Sequence, residues 1–327
     1  MKKLFDSHAL WLSMLIGCLG YKLFLPLAPI LPWLIFGMLF FTFCKVNPLD
    51  LRLHKWHGVV LFAQIVLSVV TYAGILYLTD DMVLAQGLLM CFIMPTATAA
   101  PIIAGKLGGS IQNLTTFTLL SNFATSIIVP VLFPLINPAT DMTFWPAFLL
   151  ILSRVAPLLL GPFLSAWLLR IVYQRIKKQE FVLSKQAAQI PFYLWVASII
   201  VLASVVTKTV IASYDTLLAT MLWLLLGSFF ACLAQFGLGK WIGYQMPAAS
   251  KGTDYQDVLI NPAAAPKTME GVSSITAGQA FGQKNTSLGV WMANTYLDPM
   301  ASLGAAAYII WQNIFNSAQL FVAAHKK

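Results

Sequence analysis

Two cations sit in this sequence where a water-soluble protein would have no reason to hide them. Lys284 lies in the run Gly278-Gln279-Ala280-Phe281-Gly282-Gln283-Lys284-Asn285-Thr286-Ser287, and Arg154 lies in another apolar stretch just ahead of Pro157. A charged lysine at mid-span costs ~3 kcal/mol or more on insertion scales, so it is rarely left facing lipid. The chain has 11 acids, and all of them fall in loops or at the ends of apolar stretches, so no carboxylate is placed to pair with it. The partners expected for Lys284 are Gln64, Thr118, Gln283 and carbonyls freed where helices break. Two cations without an acid suit an anionic ligand, and broken-helix N-termini would add partial positive charge. Two plainer readings stay open. Lys284 could snorkel to an interface, and Arg154 could be a structural donor to the carbonyls of a neighbouring helix.

Other chemistry is poorly represented. His54 and His57 flank Trp56 at a spacing that could suit a metal, but no third ligand is near, and aromatic and basic residues commonly anchor a span at its interface. Asp80-Asp81 reads as a turn, and Asp298 before Pro299 reads as a helix cap. The cysteines Cys18, Cys44, Cys91 and Cys232 all fall in apolar blocks without metal or redox spacing, and read as small buried apolar residues. A membrane-embedded enzyme would need a carboxylate cluster, a His/Cys nucleophile system or a metal site inside the spans. None is recognisable, so no enzyme, cofactor or metal is expected. A channel would more often carry a repeated pore motif.

The elements that hold these residues are membrane spans. The 327 residues are 59% hydrophobic and 9% charged, against roughly 25% charged in soluble domains. Apolar blocks long enough to cross a bilayer fall near 8–25, 27–44, 57–79, 84–105, 112–136, 143–170, 189–207, 217–245, 269–296 and 299–322. With a cytoplasmic N-terminus, sixteen of the 20 lysines and arginines fall on the inner side. Only Lys22 and Lys208 fall outside, and Arg154 and Lys284 lie within spans. That bias supports ten crossings with both termini in the cytoplasm. It also assigns the net charge of +9 to a membrane rather than to nucleic acid. Lys2-Lys3 and the first apolar run imitate a signal peptide but lack a cleavage site, so the first helix is expected to be retained. The longest polar stretch, 246–268, reads as a cytoplasmic connecting loop.

Two blocks are interrupted. The fourth carries Pro95-Thr96-Ala97-Thr98-Ala99-Ala100-Pro101, whose prolines cannot sit in a continuous ideal helix. The ninth carries the Gly278–Ser287 run, with Gln279, Gln283 and Asn285. Helix breaks are tolerated in a bilayer only where protein or water lines them. Breaks at matching places in two halves point to a binding site at mid-membrane. Here the halves would be 1–138 and 139–327, each of five helices.

On these residues the chain resembles the bile acid:sodium symporter family. The fourth-helix run Pro95–Pro101 with Gly108-Gly109, and the ninth-helix run Ala280-Phe281-Gly282-Gln283-Lys284-Asn285, carry the likeness. Leu297-Asp298-Pro299 and the tenth helix through Tyr308, Trp311 and Asn313 fit as well. The resemblance implies an all-α fold of two inverted five-helix repeats with broken, crossing helices 4 and 9. It also implies a secondary transporter of a small organic anion in the cell inner membrane. The family's sodium-site positions are only partly kept. Ala280 stands for a glutamate, Ala100-Pro101 for a serine-asparagine pair, Leu114 for a serine and Lys284 for a glutamine, while Thr118 and Gln64 are retained. Sodium coupling through those sites is therefore not expected. The Lys284 ammonium would take the place of a sodium ion, leaving a proton-coupled carrier, an exchanger or a uniporter. The coupling and substrate-binding set is Lys284, Asn285, Gln283, Gln279, Thr118, Gln64, Thr96, Thr98 and Arg154.

Overall fold

Long apolar runs with few breakers dictate helices, because in hydrocarbon a helix pairs all of its own backbone groups. A computed structural model describes residues 2–137, 142–247 and 268–325. The expected loop at 246–268 lies outside the described residues except at its ends, and so does the expected repeat boundary at 138. In chain order the helices are α1 (Lys2–Leu19), α2 (Tyr21–Phe24), α3 (Leu31–Phe43), α4 (Lys55–Thr79), α5 (Met82–Ile93), α6 (Ala100–Leu107) and α7 (Ile111–Ile136). They continue as α8 (Phe144–Lys177), α9 (Ile190–Gln245), α10 (Met269–Gly282), α11 (Thr286–Tyr296) and α12 (Ser302–His325). No strand occurs among the described residues, whose regular structure is all helical.

Among the described residues, six helical stretches are long and apolar enough to cross a membrane: Tyr21–Phe43, Lys55–Thr79, Ile111–Ile136, Phe144–Lys177, Ala187–Tyr214 and Leu218–Gln245. This is the build of a multi-pass membrane protein. Ala9–Leu19 and Met82–Ile93 are shorter apolar helices. The faces of α4 show the solvent logic. Phe62, Val66 and Val70 are exposed, while His57, Gln64 and Ser68 are buried. The outward face is apolar and these polar side chains turn inward beside Trp56 and Val60, the reverse of a water-soluble helix.

Three local features depart from the sequence reading. Residues Leu25–Ile30 form a 3₁₀ turn instead of a link between two spans, because Pro26 and Pro29 withhold helical donors. The turn expected between 207 and 217 is helical, and α9 runs on without interruption. Residues 208–216 contain neither glycine nor proline to stop it. Of the cysteines, Cys44, Cys91 and Cys232 are buried as expected, but Cys18 is exposed on α1.

The chain divides into two compact units. Unit 1 comprises Met1–Pro48, Ser126–Met221 and Ser287–Leu303; unit 2 comprises Leu49–Thr125, Leu222–Thr286 and Gly304–Lys327. In unit 1, α3 packs along α8. Phe43 meets Phe163 edge-on at 5.8 Å, and Gly161 leaves room for the Phe36 ring. Arg170 closes the end of α3 by donating to the carbonyls of Cys44 and Val46 at 3.4 and 3.2 Å.

In unit 2, α4 packs on α5, and α10 packs on α6 and α4. Its core includes Trp56, Val60, Leu114, Phe117, Ile242 and Phe281. The second part of α9 meets α10 through Gly239 and Gly243. A Cβ on Gly239 would lie 2.5 Å from the Ala277 carbonyl oxygen, and one on Gly243 would strike the Ser273 carbonyl. Small residues four apart are a recurrent means of close packing between membrane helices.

Candidate functional site

The two interrupted segments meet inside unit 2. Helix α5 stops at Ile93 and α6 restarts at Ala100; α10 stops at Gly282 and α11 restarts at Thr286. The extended residues between them pair as a short antiparallel bridge, Thr96 opposite Lys284. Ala97 N–H donates to the Gln283 carbonyl at 3.0 Å, and Asn285 N–H to the Pro95 carbonyl at 2.7 Å. The Thr96 hydroxyl donates to the Ala280 carbonyl at 2.7 Å, and Thr96 N–H to the Ser121 hydroxyl at 3.2 Å. Each break thus supplies hydrogen-bond partners that the other has lost.

A helix end leaves its last carbonyls without intrahelical donors, and at α5 they can be followed one by one. Met90 accepts from Met94 N–H at 3.3 Å. Cys91 accepts from the Gln235 amide of α9 at 3.1 Å. Phe92 accepts from the Lys284 ammonium at 2.9 Å. Ile93 accepts from the Gln64 amide of α4 at 3.2 Å and from the Thr125 hydroxyl of α7 at 3.4 Å. Met94 accepts from Gln64 at 3.1 Å. Lys284 is therefore a cap on the negative end of a helix dipole, a favourable place for a cation.

The side chain of Lys284 is 1% exposed, so it does not snorkel. Besides Phe92, its ammonium lies 5.1 Å from the centre of the Phe281 ring, within the range of a cation–π contact. The Lys284 N–H, which no helix serves, donates to the Gln312 side chain of α12 at 2.9 Å. Gly282, at the end of α10, has no Cβ to collide with the Phe236 ring packed on it.

The remaining expected residues fall into three groups. Thr96, Gln64, Gln283 and Asn285 join Lys284 at the junction, and all are buried. Gln279 is buried beside them, accepting from the Gln283 amide and donating to Gln319 at 3.3 Å. Thr118 is also buried, but its hydroxyl turns back to the Leu114 carbonyl of its own helix at 2.9 Å. Thr98 is half-buried within the α5–α6 break. Arg154 belongs to unit 1, where it is exposed on α8 beside Tyr296.

At the other end of α4, His54 N–H donates to His57 Nδ1 at 3.2 Å, and the His54 ring bonds Asn113 at 3.1 Å. These histidines cap α4 rather than anchor it alone. Asp81, expected in a turn, also caps α5 through Leu84 N–H at 2.9 Å, and Asp298 bonds Met300 N–H at 2.8 Å as the cap expected of it.

Sequence reasoning missed Gln235, Gln312, Asn316 and Gln319. A signal was present, because Gln312, Asn316 and Gln319 recur at helical spacing within an otherwise largely apolar segment. No protein-family model matches the chain, and no curated protein is similar enough to count as a match.

Proposed function

We propose that this protein is a secondary carrier that moves a small organic anion across the cell inner membrane by alternating access, without sodium coupling through the symporter-like sites. The observation that carries this reading is a lysine ammonium, 1% exposed, seated on the Phe92 carbonyl where two interrupted helices pair. Discontinuous helices that meet in pairs are how membrane carriers build solute and ion sites at mid-bilayer. A tethered ammonium at such a place stands in for a bound monovalent cation: it satisfies a freed carbonyl and adds one positive charge. The paired breaks, the resemblance to the bile acid:sodium symporters and the lysine and arginine bias support a ten-span reading with two inverted five-helix repeats and both termini cytoplasmic. In that reading α5–α6 and α10–α11 are the fourth and ninth spans.

Purified protein in proteoliposomes tests the reading. A thermal-shift screen of carboxylates and sulfonates first identifies a stabilising compound. Its labelled form is then followed in counterflow, with sodium present or replaced by choline. Saturable counterflow that persists in choline is the expected result, and a response to pH would identify the proton as the coupling ion. Steep sodium dependence would instead mean a symporter with a relocated cation site. Ohmic current or chemical turnover would overturn the carrier reading.

A further inference from the structure

Helix α12 presents one face to the end of α10 and the break that follows it. Along that face, at successive turns, four polar side chains each hold one group of the segment 279–284. The Tyr308 hydroxyl donates to the Gly282 carbonyl at 2.9 Å. Gln312 accepts from the Lys284 N–H at 2.9 Å. Asn316 accepts from the Gln283 amide at 3.4 Å, and Gln319 accepts from the Gln279 amide at 3.3 Å. Tyr308, Gln312 and Asn316 are buried. A second clamp approaches from α9, where the Gln235 amide bonds both the Cys91 carbonyl at the end of α5 and the Tyr308 hydroxyl at 3.1 Å each. Tyr308 thereby ties the end of α10 to the end of α5.

Buried polar groups in a membrane helix are costly and are kept where they serve a site. This stripe does more than bring α12 and α10 together, because apolar and small residues would do that without desolvating amides. Its bonds fall at the end of α10 and on the non-helical residues after it, which are the ones that aim the Lys284 side chain. We infer that Gln312 and Tyr308 are positioning residues: α12 fixes the backbone of the α10–α11 break so that the Lys284 ammonium reaches the Phe92 carbonyl. This rests on the carrier reading for its purpose, but its physical content is a coupling between Gln312 and Lys284 within the folded protein.

A double-mutant cycle on thermal unfolding of the purified full chain tests it without any substrate. Gln312→Leu removes the acceptor of the Lys284 N–H, and Lys284→Met removes the ammonium. In the wild-type background Gln312→Leu should lower Tm by about 3 °C or more, roughly the effect of losing 1 kcal/mol in a chain of this size class. In the Lys284→Met background the same change should cost measurably less: the main-chain N–H at 284 loses its acceptor in both backgrounds, so that part cancels, and the part that comes from misplacing the ammonium disappears. Gln312→Glu, which keeps an acceptor oxygen at the same reach, should restore most of the loss in the wild-type background. Additive losses in the two backgrounds would overturn the proposal and leave α12 as packing alone. So would failure of the glutamate variant to recover stability. If Gln312→Leu does not yield folded protein, the cycle is run with Tyr308→Phe against Lys284→Met, and additive losses there overturn the proposal in the same way. Failure of transport in the counterflow assay would leave this coupling standing, so the two readings fail separately.

Discussion

At Lys284, desolvation and hydrogen bonding pull in opposite directions. Burying an ammonium is expensive, and a single carbonyl with one aromatic face (Phe92 and Phe281) is a thin set of partners. Replacing it with glutamine shortens the side chain and removes the charge. The Phe92 carbonyl then loses its donor, at a cost of about 1–3 kcal/mol. Removing a mid-span lysine offsets that by making insertion easier by ~3 kcal/mol. Lys284→Gln should therefore reach the membrane at wild-type abundance while losing transport by about tenfold or more, equivalent to at least ~1.4 kcal/mol of barrier. Immunoblots of membrane fractions beside counterflow rates check both halves. A variant that transports at the wild-type rate would remove Lys284 from the mechanism. Arg154, exposed beside Tyr296, provides a contrast: Arg154→Gln should spare protein abundance, and any transport loss should appear as weaker half-saturation rather than slower turnover.

Among the elements, the packing of α9 on α10 decides whether the junction holds its shape. Gly243 faces the Ser273 carbonyl so closely that any Cβ requires backbone movement, whereas nothing lies within 4 Å of a Cβ on Gly237. Gly243→Val should lower thermal stability in detergent by the ~1–3 kcal/mol typical of overpacking. Gly237→Ala should leave it unchanged or raise it by ~0.5–1 kcal/mol through the helix preference for alanine. Equal effects at the two sites would mean that α9 and α10 do not touch as described. Much of this level is legible in the sequence. Pro95 and Pro101, and the polar run from Gly278 to Ser287, mark both breaks, because a missing donor or a cluster of amides is poorly tolerated in an unbroken helix facing lipid. The partners are not legible there. That Lys284 finds Phe92, and that Thr118 turns to Leu114 instead of the junction, depends on which helices lie side by side, and no local periodicity encodes that. The amides of α12 are visible as a spacing, but only the packing against α10 gives the spacing a meaning.

For the whole molecule, the distribution of lysine and arginine carries a claim that helix geometry alone does not. Helix α9 runs unbroken from Ile190 to Gln245, and two apolar stretches lie along it: Ala187–Tyr214, which begins in the 3₁₀ turn just before the helix, and Leu218–Gln245. For both stretches to cross, the helix must break and reverse in the membrane-embedded protein at the residues between them, which then emerge on one face, and Lys208 is among the few basic residues that the charge bias places outside. If the helix crosses only once, every later loop changes sides, and the cluster Lys240, Lys251 and Lys267 falls on the outer face against that bias. The two arrangements differ in where the end of the chain lies. A fluorescent protein fused after Lys327 should fluoresce in cells, and alkaline phosphatase fused at the same place should be inactive, because an even number of crossings returns that end to the cytoplasm. With the N-terminus placed in the cytoplasm by the same pair of reporters fused there, the opposite pair of results would require an odd count, and with it the loss of matched halves. Lys284 would then lie in a break with no symmetric counterpart, and the case for alternating access between two repeats would fall even though the pairing of Thr96 with Lys284 remained.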